Sequence, residues 1–373
     1  MSVELKKNID SKKYLWLAGL WVLATPVVAI SLTHLTSLSI FLWFGPLNIF
    51  LFAPILEFIM GTDSSNPSED EFDKISQDPY YIRLLYGSVL TLFASFFYTI
   101  YYISSHSLDW TSTLALAFST GGAMGVAINL AHELGHKSKS FPRWMAKLTL
   151  APVFYGHFYV EHNRGHHVRV ATHEDPASAR RGENAWIFVA RSVSGSVVSS
   201  LNIEEKRLKK MHRSVWSLRN EVFHSWLMTA VLWGGILAFA GIKMLPFLII
   251  QALYGITLLE VINYVEHYGL QRRKLKNGRY ESCQIHHSWN SNSLMSNIFL
   301  YQLQRHADHH ANPQRPYQSL RHFEDSPQLP WGYGVMMLVA LCPPFWFKIM
   351  NPLVDEYYTK ANTYHTEENE KAS

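Results

Sequence analysis

Six long apolar stretches decide what this chain can fold into, because each is about as long as the hydrocarbon core of a bilayer is thick. They run over residues 14–34, 37–60, 84–103, 111–131, 222–242 and 246–266. A segment that crosses lipid must satisfy its own backbone hydrogen bonds, and a single span does so only as a helix. We therefore predict an all-α membrane protein with six transmembrane helices. Lys12 and Lys13 precede the first stretch, as basic residues do in a signal peptide. No polar cleavage region separates the first stretch from the second, so we expect the first to be an uncleaved anchor.

The distribution of basic residues predicts the orientation, because cytoplasmic flanks of membrane spans are rich in Lys and Arg. Four lysines precede the first stretch, fifteen Lys or Arg lie between His132 and Glu221, and eleven follow from His267 onward. The short loops on the other side carry only Lys243. We expect both termini, and a helical cap carrying the functional residues, on the cytoplasmic side.

These spans divide the chain into four predicted parts. They are residues 1–131 with the tail and four helices, 132–221 as a cytoplasmic block, 222–266 with two helices, and 267–373 as a second cytoplasmic block. The acidic loop 61–80 is expected to be solvated, and the Pro-interrupted stretch 331–350 to be a packed or interfacial element. Residues 204–219 form a basic helix candidate, either solvated or placed on the membrane surface or against a partner.

Nineteen histidines and only two cysteines predict imidazole-bound metal instead of a disulfide framework or a cysteine-ligated iron centre. Nine histidines form four groups: His132 and His136 in AHELGH, His162, His166 and His167 in EHNRGHH, His267 in NYVEHYGL, and His306, His309 and His310 in QRHADHH. Positions i and i+4 share a helix face, which pairs 132 with 136, 162 with 166, and 306 with 310, while 167 and 309 can point elsewhere. One ion takes about four to six ligands, so nine predict two ions with four or five each.

Acidic neighbours of these histidines are candidates to accept a hydrogen bond from the far imidazole nitrogen, with ion pairs to nearby arginines as the alternative. On the sixth span, two polar residues share a helical stripe with His267 and should face the bundle interior. The supporting residues predicted in this way are Glu133, Glu161, Glu260, Asn263, Glu266 and Asp308. The other ten histidines are expected to have structural or surface roles: His34, His106, His157, His173, His212, His224, His286, His287, His322 and His365.

Two other classes of function compete with this interpretation. HELGH satisfies HExxH, in which two histidines bind zinc and Glu133 would be the general base of a peptidase. That function would leave about six clustered histidines unexplained. A metal transporter is disfavoured because most of the spans contain almost no ionisable residues.

HELGHK, EHNRGHH, NYVEHYGL and LQRHADHH together resemble the motifs of the integral membrane alkane 1-monooxygenases, within the wider group of histidine-box hydroxylases and fatty acid desaturases. Three of the boxes would also suit a desaturase, but NYVEHYGL with HHSWNSN is similar to the alkane hydroxylase branch. The resemblance runs from the first span through Phe323. It implies that the nine histidines bind two nonhaem iron ions and that O2 is used to hydroxylate medium-chain n-alkanes to primary alcohols. A membrane lipid desaturase or hydroxylase is the alternative.

The resemblance also implies electrons from NADH through a reductase and a rubredoxin, and this chain lacks the cysteines to be its own rubredoxin. Rubredoxins are usually acidic, so two basic segments are candidate docking surfaces, although they could also bind anionic lipid. These residues are Lys206, Arg207, Lys209, Lys210 and Arg213 in the first segment, and Arg272, Arg273 and Lys274 in the second. We expect an inner-membrane protein that takes its substrate from the lipid, without a nucleic acid partner.

Overall fold

The regular structure is helical throughout the part of the chain that the computed structural model describes, residues 12–371 with side chains through Thr359. Pairing of extended backbone among these residues is limited to isolated bridges. The all-α prediction is therefore confirmed. Lys6 and Lys7 of the predicted cytoplasmic tail, and the side chain of His365, lie outside the described residues.

Six helices are long and apolar enough to cross a membrane, which confirms the six predicted spans with shifted ends. They are α1 (Leu15–Thr36), α2 (Ser39–Met60), α4 (Pro79–Ser105), α5 (Trp110–Gly135), α9 (Glu221–Ala240) and α10 (Ile242–His267). The helix α2 is irregular, because it contains 3-10 and π-helical pieces, including a π-helical turn at Asn48–Phe52.

The remaining helices follow or separate the spans. They are α3 (Glu69–Gln77), α6 (Ser140–Thr149), α7 (Phe158–Glu161), α8 (Ala185–Lys210), α11 (Leu294–Phe299), α12 (His306–Ala311), α13 (Tyr333–Ala340) and α14 (Pro343–Lys371). The chain continues from α7 into a π-helical turn, His162–His166, and a short last turn, His167–Arg169. The basic helix predicted over residues 204–219 is wrong in its bounds: α8 begins at Ala185 and ends at Lys210, and His212 has a left-handed φ of 53° that no α-helix contains.

Most residues of the acidic loop are exposed, in agreement with the expected solvated loop, and a few of its backbone groups contact the polar end of the bundle. The buried Arg305 guanidinium donates to the backbone oxygens of Asp63 (3.1 Å) and Ser65 (2.9 Å). On α3, Ile75 is buried and its carbonyl accepts from Gln318 (3.2 Å). Buried backbone groups require partners, and these groups of the loop find them on residues that flank α12, Arg305 before it and Gln318 after it.

Glycines allow α5 and α10 to pack closely along the centre of the bundle. A Cβ at Gly121 would lie 2.7 Å from the Gln251 carbonyl oxygen, and one at Gly255 would lie 2.9 Å from the Gly121 carbonyl oxygen. Small residues at such crossings let transmembrane backbones approach each other. The two helices that end at His136 and His267 are therefore fixed relative to each other.

Glu57 on α2 holds the short helix α13 against the bundle. Its carboxylate accepts from the Ser296 hydroxyl and from the backbone N–H groups of Gly334 and Val335, each at 3.1 Å. These are among the first N–H groups of α13, which no intrahelical partner satisfies. The chain then bends by 117° into α14. The predicted packed element at residues 331–350 agrees with this broken arrangement, and Glu57 is structural.

We expect the Glu57→Leu substitution to loosen α13, because the Gly334 and Val335 amides lose their acceptor. A hydrogen bond to a carboxylate contributes about 1.5 kcal/mol or more, so exchange at these amides should accelerate by roughly tenfold. Hydrogen–deuterium exchange of the detergent-solubilised protein measures this, with the exposed Glu324→Leu as the control. Unchanged exchange in α13 would contradict the role of Glu57.

Candidate metal centre

Four elements bring histidines to one end of the helix bundle. The first two histidines lie at the end of α5, and His267 is the last residue of α10. Three more follow α7 in the π-helical turn and its continuation, and the last three belong to α12. The close packing of α5 with α10 places their ends at the same level.

The nine histidines form two groups, in each of which the possible ligand atoms lie within 4.8 Å of one another. The five-histidine group is His132, His136, His162, His167 and His309, and the four-histidine group is His166, His267, His306 and His310. All are buried except His167, which is partly exposed. Each group could hold a metal ion.

The distances between imidazole nitrogens suit ligands of a shared ion. In the five-histidine group the Nε2 atoms of His132 and His309 are 2.8 Å apart, and those of His136 and His162 are 3.1 Å apart. In the four-histidine group, the Nε2 atoms of His306 and His310 are 2.9 Å apart. With metal–nitrogen bonds of about 2.1 Å, two imidazoles at right angles on one ion would be about 3.0 Å apart. Convergence of this many buried lone pairs is favourable around a cation.

The π-helical turn changes the predicted pairing in the second box. His162 and His166 were expected to share a face, as i and i+4 do on an α-helix, but the structure separates them into different groups. A π-helix pairs i with i+5 instead, so His162 and His167 face each other with their Nε2 atoms 3.0 Å apart. The other two predicted i, i+4 pairs each lie within one group.

Local packing explains why the π-helical turn forms at this point. Arg164 points away from the histidines and donates to Glu204 on α8 (2.8 Å) and to Glu221 on α9 (2.9 Å). Gly165 faces Glu161 so closely that a Cβ would lie 2.6 Å from its carboxylate. The outward ion pairs and the missing side chain together stabilise the wider turn.

Burial keeps the imidazoles outside the spans in the neutral form that binds metals. The pKa is held well below its usual range in six of these imidazoles, mainly by burial and in second place by the neighbouring imidazoles. The six are His136, His162, His167, His306, His309 and His310. A neutral ring offers a lone pair, whereas a protonated one offers none. These rings can therefore bind a cation at neutral pH without first losing a proton.

Three of the predicted supporting carboxylates form ion pairs instead of contacts with a far imidazole nitrogen. Glu133 pairs with Lys137, and Glu161 pairs with Arg169 (2.7 Å). Asp308 pairs with Arg315 (2.5 Å). These carboxylates lie beside the ligand-bearing segments and fix their backbone positions.

The polar stripe of α10 is buried and internally bonded. Asn263 donates to Glu260 (3.3 Å), which also accepts from the Tyr155 hydroxyl (2.7 Å). Glu266 accepts from the Tyr333 hydroxyl (2.7 Å), and its other oxygen lies 3.2 Å from Nε2 of His306. Because this nitrogen faces the ion position, Glu266 offers an oxygen beside the four-histidine group.

Asp175 orients His166, one of the candidate metal ligands, and was not predicted from the sequence. Its Oδ2 lies 2.9 Å from Nδ1 of His166 and accepts from the Ser178 hydroxyl (2.6 Å). Burial alone would raise the pKa of Asp175, but the His166 imidazole and the Ser178 hydroxyl outweigh it and lower the pKa to about 2. Among the nine histidines in the described chain, only His166 has a carboxylate on Nδ1. Asp175 follows His166 by nine residues, a spacing that does not place two residues together on a helix face. The only signal in the sequence is that Asp175, in THEDP, lies close to the second histidine box.

Other candidate residues lie outside the two groups. His157 is buried against the rings of Tyr155 and Trp226, and His287 bonds to Glu281 (3.3 Å).

The residues of the two basic segments differ in their ion pairs and exposure. In the first segment, Arg207 pairs with Glu204 and Lys209 with Glu205. The other three, Lys206, Lys210 and Arg213, make no ion pair among the described residues. Of the second segment, Arg272 donates to the Val168 carbonyl (2.7 Å), beside His167. Arg273 and Lys274 are exposed.

Known proteins are similar to this chain over most of its length. A model of the fatty acid desaturase family matches residues 108–339. The chain is 42% identical over 368 residues to an alkane 1-monooxygenase of Acinetobacter baylyi, covering 96% of this chain and 90% of the relative. It is 46% identical over 351 residues to alkane 1-monooxygenase 1 of Alcanivorax borkumensis (94% and 86% covered). It is 44% identical over 352 residues to an alkane 1-monooxygenase of Pseudomonas putida (93% and 86% covered).

Removing the Asp175 carboxylate should weaken metal binding at the four-histidine group, because the His166 ring loses the partner that orients it. We expect Asp175→Ala to lower the affinity of that group by roughly 10- to 100-fold. Metal content per chain during timed exposure to a chelator measures this. The adjacent exposed Glu174→Ala is the matched control, and equal rates of metal loss in the two variants would disprove the orienting role.

Proposed function

Because this chain belongs to the alkane 1-monooxygenase family, we propose that it uses O2 to hydroxylate the terminal carbon of medium-chain n-alkanes, giving primary alcohols. The observation that carries this proposal is an apolar cavity that ends one helical turn from the nine histidines. Such an arrangement suits a substrate without polar groups and a reaction at one end of it. The cavity and the histidines together form the proposed active site.

The cavity has a volume of about 110 Å³ and lies among α2, α5, α10, α11 and α13. Most of its lining is aliphatic, including Val126, Leu259 and Ile262. Asn129, at its inner end, precedes His132 by three residues, about 4.5 Å along the helix. An alkane can be held only by apolar burial, about 0.8 kcal/mol per CH2. The cavity walls can therefore bind the chain and direct one methyl group toward the histidines.

We propose that the five-histidine and four-histidine groups each bind one nonhaem iron ion. Imidazole nitrogen is a good ligand for iron, and the spacing of the Nε2 atoms supports one ion in each group. Bound iron would supply the binding and reductive activation of O2. The chain's own residues position the substrate, exclude water along the cavity and keep the imidazoles neutral. Glu266 is placed to add an oxygen contact at the four-histidine group.

A separate rubredoxin would supply the electrons, reduced in turn by NADH through a reductase. Iron in such a carrier is held by four cysteines, and this chain has two in all. We propose that the polar end of the bundle is cytoplasmic in the inner membrane, where the donor is present, and the basic flanks of the spans support this orientation.

The segment of Arg272, Arg273 and Lys274 is the better supported docking surface of the two. Arg272 donates to the Val168 carbonyl through its side chain (2.7 Å) and to the Ala171 carbonyl through its backbone (2.7 Å). Val168 is exposed and follows His167, the partly exposed ligand. An acidic donor held at this surface would lie close to the five-histidine group. Lys209 and Lys210 lie instead at the end of α8.

Turnover under labelled O2 tests the proposed reaction. The protein is loaded anaerobically with Fe(II) and supplied with octane, NADH, reductase and rubredoxin. We expect 1-octanol carrying the label and about two irons per chain. An alkene would indicate the desaturase alternative, since the fatty acid desaturase family model also matches residues 108–339. Unlabelled alcohol, or full activity with zinc alone, would refute the proposal.

Charge reversal tests the docking surface. In Arg273→Glu with Lys274→Glu, we expect kcat/KM for rubredoxin to be roughly tenfold lower than in the original protein at low salt. At high salt the two proteins should have similar values, because salt screens the attraction that the variant has lost. Lys209→Glu with Lys210→Glu is the matched control and should have a smaller effect. Equal losses in both double variants would disprove the preference, and turnover driven by a neutral small-molecule reductant should stay unchanged.

A further inference from the structure

We propose that Asn129 distinguishes the alcohol product from the alkane substrate, by accepting a hydrogen bond from the product hydroxyl as the product withdraws into the cavity. The inference rests on the proposed hydroxylation and goes beyond it by assigning a residue that contacts the product. It follows from the orientation of one amide group in an otherwise apolar wall.

The Asn129 amide has a determined orientation. Its Nδ2 donates to the Leu300 carbonyl oxygen at 2.7 Å. A carbonyl oxygen only accepts hydrogen bonds, so the amide nitrogen must face Leu300 and Oδ1 must point away from it. Among the described residues no donor reaches Oδ1. Oδ1 is also not one of the fully enclosed side-chain atoms that lack a partner, so it borders open space. Since Asn129 lines the cavity and is only 3% exposed, Oδ1 is an acceptor offered to the cavity.

The other polar residues of the cavity wall are occupied or distant. The Ser296 hydroxyl bonds to Glu57, and the Tyr333 hydroxyl bonds to Glu266. Asn48 also lines the cavity, but its neighbour Ile49 packs against Gly122, ten residues and about 15 Å along α5 before His132. Asn129 is therefore the acceptor at the end where the hydroxyl would form.

An unpartnered amide oxygen in hydrocarbon surroundings is unfavourable, and an alkane cannot relieve this cost because it has no donor. A primary alcohol has one. Once the hydroxylated end retreats by about one helical turn from the level of His132, its O–H group can reach Asn129. The hydrogen bond would hold the hydroxyl away from the histidines and leave the inner end of the cavity free.

The test compares two ligands of equal length, 1-octanol and 1-fluorooctane, of which only the alcohol donates a hydrogen bond. Inhibition constants against octane hydroxylation are measured for the original protein and for Asn129→Leu, whose side chain is of similar size. We expect the constant for 1-octanol to rise by roughly fivefold, equivalent to about 1 kcal/mol. The constant for 1-fluorooctane should not rise in the same way. The ratio of the two constants is compared within each variant, so that any change in the KM for octane cancels.

Two further variants separate hydrogen bonding from packing. Val126→Leu crowds the same wall one turn away without changing a polar group, so it should shift both ligands alike. Asn129→Thr keeps an acceptor oxygen but replaces the amide N–H that donates to Leu300, and should retain most of the preference for the alcohol. Equal shifts of alcohol and fluoroalkane in Asn129→Leu, or no shift of the alcohol, would overturn the proposal.

A spectroscopic measurement on the original protein needs no variant. The O–D stretching band of bound, deuterated 1-octanol should lie at the frequency of a hydrogen-bonded hydroxyl, and a band at the frequency found in alkane solvent would overturn the proposal. Binding is followed by thermal stabilisation, independently of turnover. A hydrogen-bonded band that is lost in Asn129→Leu, without any alkane hydroxylation, would refute the proposed function and leave only the binding of an alcohol at Asn129.

Discussion

The convergence of nine imidazole nitrogens on two positions is the interaction on which the rest of this structure depends. Buried imidazole lone pairs that face each other at about 3 Å repel unless a shared proton or a cation lies between them, and one cation can satisfy several at once. The surrounding elements supply the rigidity that this arrangement requires. Glycines hold α5 against α10, ion pairs from Arg164 support the π-helical turn, and Arg305 ties the acidic loop to the segment before α12.

Much of the fold could be predicted from the sequence, because lipid imposes simple rules. Six apolar stretches of bilayer length gave six helices, and the spacing within HELGH and HADHH placed each of those i, i+4 pairs in one group. The nine histidines themselves were identifiable because histidines rarely cluster at helical spacing without a ligand.

The failures of prediction have local causes. On an α-helix His162 and His167 would point in different directions, but the π-helical turn brings them together. No periodic pattern in the sequence predicts such a turn. Asp175 reaches His166 from a loop, so periodicity could not find it. The basic segment after Lys210 contains no Gly or Pro to mark the end of α8, and the left-handed residue of the local helix cap, closed by the Arg213 N–H on the Leu208 carbonyl, is His212 where glycine is usual. The acidic loop is mostly exposed as expected, but its composition could not indicate that two of its backbone oxygens accept from Arg305.

The glycine contact between α5 and α10 fixes the distance between the two histidine-bearing helix ends. The two helices that carry His132 and His267 touch through backbone, with almost no side-chain layer between them that could be compressed. The cavity beside them is bounded on another side by α2, which packs closely against α5 at Gly45 and Ser119 but is largely exposed elsewhere. A change in side-chain volume along α2 can therefore alter the cavity without disturbing the contact that fixes the histidine-bearing ends of α5 and α10.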